Sequence, residues 1–395
     1  MTAGVTGMQG LTALLTAKWL GAADRGVLVV AQTIAMVLLL IGGLGLIAGT
    51  RVLLADEQRG ITLTAYVQST RLLVVLELLL VGSVGVVAFR QLAEVDSVAL
   101  VAGLIVMAVF GYRAALLREA LHGVGHHRSA VGSELMAAGF PLLGMTVAHM
   151  MGLLTVSVAM VMLAAGAMTQ WTLQWLRVRR IRKPTPAPSL AVRWGLLTLM
   201  VRFSLPGLVA ALGLAVAGRV DRLILAFFHG PTSVGVYATA STLADLPWIL
   251  PAAVSAVIVR GVAQSGSTAN HGLWWRRVVA ATTGITLLTF GAGWWLLERF
   301  LGGAFAGSSL LLAVLLLGSF AIASQQVDLA VCSGRGDLVS SARAAGVGLI
   351  VGLLSYLVLI PPYAALGAAI GTVVTYTAMA IAARRLVGRH LRQES

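Results

Sequence analysis

Charge is scarce in this chain of 395 residues. Charged side chains make up 11% of it, less than half of the roughly 25% usual in soluble domains, which excludes a water-soluble globule. Cysteine is nearly absent, and the single Cys332 excludes an internal disulfide and a cysteine metal cluster. The one tight histidine group, His122, His126 and His127, lies in a polar loop, so no metal site is predicted. A glycine-rich nucleotide motif is missing too, and no cofactor is predicted.

Long apolar runs dominate the chain instead. Hydrophobic residues make up 58% of it, and their runs are long enough to cross a hydrocarbon core roughly 30 Å thick as helices. The N-terminal segment lacks the basic start and the cleavage site of a removable signal, so we take it as the first span. The sequence predicts an all-α polytopic membrane protein with about 12 transmembrane helices. The predicted spans are 2–19, 27–50, 72–89, 98–112, 131–149, 152–173, 203–228, 234–259, 278–297, 309–331, 338–360 and 364–383.

A basic segment separates the first six spans from the last six. It begins LRVRRIRKPTPAP at Leu176, and its prolines and positive charges argue against both a buried helix and a strand. We therefore predict an N-terminal lobe over 1–175, a cytoplasmic linker over 176–202, and a C-terminal lobe with a short basic tail over 203–395.

The basic residues also predict the orientation. Of the 28 Lys and Arg residues, twenty-one lie in segments that are cytoplasmic if the N-terminus is inside, and this bias places both termini in the cytoplasm. The four on the outer side or its edges are Lys18, Arg25, Arg90 and Arg299. The net charge of +14 thus follows from membrane topology, and no nucleic-acid partner is predicted. Arg384 and Arg389, on the tail, are expected to contact water and lipid head groups.

The chain also matches itself when it is shifted by 209 residues. The pairs that this shift superposes include Gly21 with Gly230, Gly26 with Gly235, and Arg51 with Arg260. The span boundaries agree at the same shift, which predicts a six-plus-six duplication. An even number of spans in each half makes the repeats parallel, with an expected substrate path between the two lobes. The shift leaves the first helix shorter than its counterpart, so that helix looks clipped.

Three segments resemble a known family of membrane proteins. Residues 219–240, RVDRLILAFFHGPTSVGVYATA, resemble the seventh-to-eighth-helix signature of bacterial polysaccharide flippases. Residues 363–376, YAALGAAIGTVVTY, are similar to their last helix, and residues 20–33, LGAADRGVLVVAQT, to their first loop and second helix. The chain resembles the O-antigen and exopolysaccharide flippase branch of the multidrug/oligosaccharidyl-lipid/polysaccharide exporter superfamily, although many members carry fourteen spans.

The resemblance implies a transporter of the bacterial cytoplasmic membrane. It implies two six-helix lobes around a central cavity that opens alternately to either side. It also implies that an oligosaccharide linked to polyprenyl pyrophosphate moves from the cytoplasmic to the outer leaflet for polysaccharide biosynthesis. The polymerase machinery that lengthens such sugars would then be a partner, together with membrane lipids.

Charges inside the spans need a reason, because each costs about 2.5–3.5 kcal/mol on insertion scales. Arg219 and Arg222 are three residues apart and share one helix face, with Asp221 to their side. Two guanidinium groups could hold an anionic head group while Asp221 steadies one of them. The alternative is a structural ion pair near the outer end of the helix.

Two further carboxylates are candidates for coupling transport to H⁺ or Na⁺. Asp245 precedes Pro247, which should break or kink the eighth helix and free backbone carbonyls. The alternative is that Asp245 only satisfies that broken backbone. Asp328, with Gln325 on the same face, could line the cavity or form a hydrogen bond between helices. Glu77 and Glu134 receive no role.

Other functions stay open at the level of sequence. A cation-coupled drug or metabolite exporter would take a small cation, which fits poorly with arginines in the cavity. A lipid II flippase would differ in the sugar that it carries. A membrane polymerase or ligase of lipid-linked sugars would need a large outer loop, and the predicted outer connections are short. We therefore predict a transporter and no enzyme.

Overall fold

The computed structural model describes residues 2–55, 61–182, 189–265, 271–305 and 307–391. These residues are almost entirely helical and contain no β-strand. The helices are α1 Thr2–Gly42, α2 Leu46–Ala55, α3 Leu63–Thr70, α4 Leu73–Leu80, α5 Val86–Ala93, α6 Val98–Gly123, α7 His127–Met150, α8 Val156–Ile181, α9 Leu190–Ala215, α10 Asp221–Ala244, α11 Ile249–Ser265, α12 His271–Trp295, α13 Ser308–Gly334 and α14 Leu338–Leu391. Turns of π-helix join α4 to α5 and α9 to α10.

The protein is a multi-pass membrane protein, as predicted. Within the described ranges, 9 helical stretches are long and apolar enough to cross a membrane. Three of them are bent at a residue with non-helical backbone, namely Gly21 in α1, Gly230 in α10 and Ala364 in α14. Dividing the three stretches at these bends gives twelve segments, in agreement with the twelve predicted spans.

The fourth span is longer than predicted. Its predicted end is Tyr112, before Arg113 and Arg118, but α6 continues to Gly123. Arg118 stays in the helix because its guanidinium donates to the Glu134 carboxylate on α7 at 2.6 Å. A basic residue therefore did not mark the end of this helix.

Two glycines separated by the predicted shift have the same backbone conformation. Gly21 has φ 81° and ψ 179°, and Gly230 has φ 73° and ψ 175°. A residue with a Cβ rarely adopts this conformation, so both bends need glycine. Next to them, a Cβ on Gly26 would lie 1.7 Å from the Pro231 carbonyl oxygen, so the two bends are in direct contact. A duplication would account for this match, and both the duplication and the superposition of the whole halves stay predictions.

The chain divides into two compact units. The first contains residues 1–20 and 27–211, and the second contains residues 21–26 and 212–395. Helices extend into both ends of the predicted linker, since α8 continues to Ile181 and α9 begins at Leu190. The prolines that stop a helix begin only at Pro184, and residues 183–188 lie outside the described ranges. The central cavity stays a prediction.

Each unit has its own apolar core. In the first unit, Tyr66, Tyr112 and Leu46 are fully buried in a cluster built by α2, α3 and α6. In the second unit, small residues let helices approach closely: Gly348 of α14 contacts the Met379 side chain from the later part of the same bent helix. These cores hold the short turns that carry the charged residues.

Candidate functional site

The charged residues of the seventh span lie where the helix changes its winding. A π-helical turn, Val216–Val220, joins α9 to α10, and Asp221 and Arg222 begin α10. A π turn leaves carbonyls without their usual partners and often occurs at functional sites. Here the Tyr356 hydroxyl donates to the freed Ala217 carbonyl at 2.9 Å, which ties this turn to α14.

Arg219 and Arg222 both reach the second half of α10, beyond its bend at Gly230. The Arg219 guanidinium donates to the Asp245 carboxylate at 3.1 Å, and Arg222 donates to the Ser241 hydroxyl at 3.0 Å. Ser241 and Asp245 are four residues apart, so they share one face. The sequence prediction that the two arginines share a face agrees with this placement.

Asp221 is buried. Among the described residues its carboxylate accepts hydrogen bonds from a backbone N–H and from hydroxyl groups, and from no guanidinium group. One carboxylate oxygen accepts from the Arg222 backbone N–H at 2.8 Å. The other accepts from the Tyr237 hydroxyl and, at 3.4 Å, from the Thr372 hydroxyl. The carboxylate thus joins the start of α10 to α14. Asp245 supplies the direct ion pair that the sequence analysis expected from Asp221.

Asp245 lies at the predicted break of the eighth helix. α10 ends at Ala244, a short 3₁₀ turn covers Leu246–Trp248, and α11 begins at Ile249. Pro247 accounts for the break, because it lacks a backbone donor. The Asp245 side chain is 24% exposed, so its ion pair with Arg219 lies at an accessible edge of the second unit.

Arg25 belongs to the same group, which the sequence analysis did not find. Its side chain is buried in the second unit at 6% exposure, and it interacts electrostatically with the like charge of Arg222. In the part of the chain that is described, Nε of Arg25 and Nε of Arg222 have no hydrogen-bond partner. The available signal was the position of Arg25 between Gly21 and Gly26. We call Arg25, Arg219, Asp221, Arg222 and Asp245 the α10 charge cluster.

Asp328 occupies a separate place in the second unit. It is fully buried, and one oxygen interacts with Nε2 of His271 at 2.8 Å and with the Arg384 guanidinium at 3.2 Å. Its other oxygen has no partner among the described residues. The expectation that Arg384 contacts only water and lipid head groups is therefore wrong. α14 remains helical to Leu391, and this regular helix carries Arg384 onto Asp328 and over the Trp275 ring.

Glu77, which received no role from its sequence, is the unexpected carboxylate of the first unit. It is fully buried, and neither oxygen has a hydrogen-bond partner in the described ranges. The Tyr112 hydroxyl is also buried without a partner. Glu77 packs against Gly42, where an added Cβ would lie 2.1 Å from the carboxylate. Glu134, by contrast, is paired with Arg118.

The histidine group lies at the ends of α6 and α7. Nδ1 of His122 and Nδ1 of His127 are 2.9 Å apart, so one ring donates a hydrogen bond to the other. His126 instead contacts the Arg177 guanidinium at 3.3 Å. Among the described residues, no group of three or more His, Cys, Asp and Glu side chains could hold a metal ion.

No family model and no curated protein matches this sequence. Solved structures do share its fold. The lipid II flippase MurJ in an inward closed conformation is 15% identical with a TM-score of 0.76, and the match covers 98% of this chain and 86% of MurJ. An inward-facing multidrug resistance MATE transporter of the MOP superfamily is 15% identical with a TM-score of 0.69 over 99% of this chain and 96% of its own.

A eukaryotic MATE transporter extends the comparison. It is 15% identical with a TM-score of 0.57, and the match covers 97% of this chain and 92% of the transporter. At such low identity the similarity concerns the fold. The chain therefore has the fold that MurJ and the MATE transporters share.

Proposed function

We propose that this protein is a flippase that moves an oligosaccharide linked to polyprenyl pyrophosphate across the bacterial cytoplasmic membrane. The head group moves from the cytoplasmic to the outer leaflet by alternating access, while the lipid tail stays in the bilayer. The observation that carries the proposal is the α10 charge cluster, with two buried arginines, Arg25 and Arg222, that repel each other and whose Nε atoms have no hydrogen-bond partner among the described residues. A pyrophosphate would relieve that repulsion.

The chemistry of the cluster suits a diphosphate better than a small cation. A guanidinium group presents several donors in a fixed plane and binds phosphate oxygens in pairs. Among the described residues, no carboxylate accepts a hydrogen bond from the Arg222 guanidinium, which donates to Ser241, although the buried Asp221 carboxylate attracts its charge. Arg219 is bound to Asp245 and could exchange that carboxylate for a phosphate at little net cost in charge pairing. Without substrate, Ser241 and Asp245 bind the two arginines. A bound diphosphate would add hydrogen bonds to their guanidinium groups.

Coupling to H⁺ or Na⁺ is part of the proposal. Asp245 and Asp328 remain the proposed coupling groups, and both are held by basic partners. A cation that binds at either carboxylate would therefore have to displace Arg219 or Arg384. Ion binding at Asp245 would then change the arrangement of α10, and ion binding at Asp328 would change that of α14.

Two neighbouring functions follow from the comparisons and the structure. The similarity to MurJ makes lipid II the first alternative substrate, and it offers the same pyrophosphate to the same arginines. The similarity to MATE transporters suggests a cation-coupled exporter of small molecules. A specific observation favours that second candidate, because Glu77 is a buried carboxylate without a hydrogen-bond partner in the described residues. A substrate cation would need such a group.

Transport in liposomes tests the proposal. The purified protein would be reconstituted with a fluorescent lipid-linked oligosaccharide, and head groups exposed in the outer leaflet would be reduced chemically over time. We expect protein-dependent movement of this substrate and none of a small cationic dye. Movement of the dye alone would support the exporter. Genes for glycosyltransferases beside this one would support polysaccharide biosynthesis and a polymerase as partner.

A further inference from the structure

A groove in the first unit brings several arginines together, apart from the α10 charge cluster. The segment between α3 and α4 breaks at Arg71, whose side chain is exposed. Arg113 of α6 and the ring of Trp175 on α8 line the same groove, which is open to solvent and has a cavity volume of about 30 Å³. All of these residues belong to the first unit.

Two tryptophans form the aromatic wall of this groove. The rings of Trp171 and Trp175 stack with 6.4 Å between their centroids. Arg71 and Arg182 both lie over the Trp175 ring, at 5.4 Å and 5.1 Å from its centroid. Arg113 lies over the Trp171 ring at 5.0 Å. Cation–π contacts of this kind hold guanidinium groups in place and leave their N–H donors free for an anion.

The positive charges converge although they repel one another. Arg71 interacts unfavourably with Arg182, Arg193 and Arg113. The Arg193 guanidinium donates two hydrogen bonds to the Gln68 backbone carbonyl, at 3.1 and 2.8 Å. These bonds hold its positive charge beside α3. Like charges gathered in this way need a counter-charge, either from solvent ions or from a ligand.

Carboxylates do not supply that counter-charge within the described residues. Arg71, Arg113 and Arg182 form no ion pair there. Elsewhere in the same unit arginines are paired, as Arg51 is with Glu119 at 2.8 Å. The groove is therefore cationic without an acidic partner in the described part of the chain.

We expect the groove to lie at the depth of lipid head groups. Arg71 immediately precedes the predicted third span, 72–89, whose residues extend about 27 Å as a helix, close to the thickness of a hydrocarbon core. The arginines that flank the groove belong to the predicted cytoplasmic side. Tryptophan is also favoured at this interface.

We propose that this groove binds a phosphate group at the cytoplasmic membrane surface. Two sources share this chemistry: the head group of an anionic phospholipid, and a diphosphate such as that of a polyprenyl carrier. A ligand there would bridge α3, α6 and the end of α8. This inference does not rest on the proposed transport activity, and its test measures binding alone.

Binding would be measured on the purified full chain in zwitterionic detergent. One arm titrates inorganic pyrophosphate, and the other adds phosphatidylglycerol or phosphatidylcholine and counts bound lipids by native mass spectrometry. We expect Arg71→Gln and Arg113→Gln each to weaken binding of the effective ligand about tenfold, because each removes charge-assisted hydrogen bonds. Arg113→Lys should fall between Arg113→Gln and the wild type.

Arg128→Gln is the matched control, because Arg128 is an exposed arginine of the same unit on the same predicted side. It should change binding by less than about twofold. Without ligand, Arg71→Gln should unfold at the same temperature as the wild type or higher, since a repulsion is removed, so lost binding would not reflect lost folding. Selective binding of phosphatidylglycerol alone identifies a lipid as the source, and binding of pyrophosphate identifies a diphosphate. Binding of neither, or an equal loss with Arg128→Gln, would overturn the proposal.

Discussion

Arg222 and Ser241 are joined across the bend at Gly230 by a hydrogen bond of 3.0 Å. A neutral hydroxyl is thus the direct partner of the buried Arg222, while Arg219, in the turn before α10, has the carboxylate of Asp245. The two arginines therefore differ in their direct partners, although Asp221 and Asp245 also attract the charge of Arg222. Arg222 is the better candidate for contact with an anionic substrate, and Arg219 the better candidate for exchange with one.

The bends at Gly21 and Gly230 should both require glycine. Gly21→Ala and Gly230→Ala place a Cβ in an extended, positive-φ conformation that costs about 1–3 kcal/mol for other residues, and each should lower the free energy of unfolding by that amount. Gly284→Ala is the control, because Gly284 lies in regular α12 with open space at its Cβ. Thermal unfolding in detergent measures the difference. Equal stability of all three variants would contradict a shared bend.

Arg384 should stabilise the second unit although half of its side chain is exposed. Arg384→Ala leaves the buried Asp328 with His271 as its only described partner, and we expect a loss of about 1–3 kcal/mol. Arg385→Ala is the matched control, since Arg385 is its exposed neighbour on α14. Unfolding temperatures at equal protein concentration test the pair. Unchanged unfolding temperatures for both variants would mean that the ion pair between Arg384 and Asp328 does not stabilise the protein.

Replacement of Glu77 and of Glu134 by Met should change the free energy of unfolding in opposite directions. Glu77→Met removes a buried carboxylate without a hydrogen-bond partner in the described residues and should raise the free energy of unfolding by about 1 kcal/mol or more. Glu134→Met removes one of the two carboxylates that bind Arg118, the other being Glu119, and should lower it by about 1 kcal/mol. If Glu77→Met is as destabilising as Glu134→Met, the Glu77 carboxylate has a stabilising ligand.

The orientation predicted from the basic residues can be tested by labelling. Cys332 is buried, so a single added cysteine gives a clean signal. Arg128→Cys, in the first turn of α7, should be protected from a membrane-impermeant maleimide in intact cells, whereas Asp96→Cys, between α5 and α6, should react. The reverse pattern would place the N-terminus outside and overturn the assignment of the groove to the cytoplasmic surface.

Local sequence patterns predicted the spans well, for a physical reason. A hydrocarbon core demands long apolar helices whatever they pack against, so hydropathy alone separates them. Pro247 likewise predicted the break beside Asp245, because the loss of a backbone donor is a local effect. The bends at Gly21 and Gly230 likewise fall in the connections predicted between spans, 20–26 and 229–233.

The partners of the charged side chains were much harder to predict. Arg25 had been placed at the outer edge, yet it is buried near Arg222, which lies far away in the sequence. Arg384 had been placed in the tail, yet a regular continuation of α14 brings it to Asp328. Such contacts depend on tertiary packing, and no local period or composition encodes them.

The central claim is that Arg222 contacts the diphosphate of a lipid-linked sugar. The most direct measurement is the rate at which liposomes containing Arg222→Ala, Arg222→Lys or Arg389→Ala protein move a fluorescent lipid-linked oligosaccharide, at equal amounts of folded protein. We expect Arg222→Ala to lower the rate at least about tenfold, Arg222→Lys to recover part of it, and the exposed Arg389→Ala to stay within about twofold of the wild type. Wild-type transport by Arg222→Ala would contradict the account.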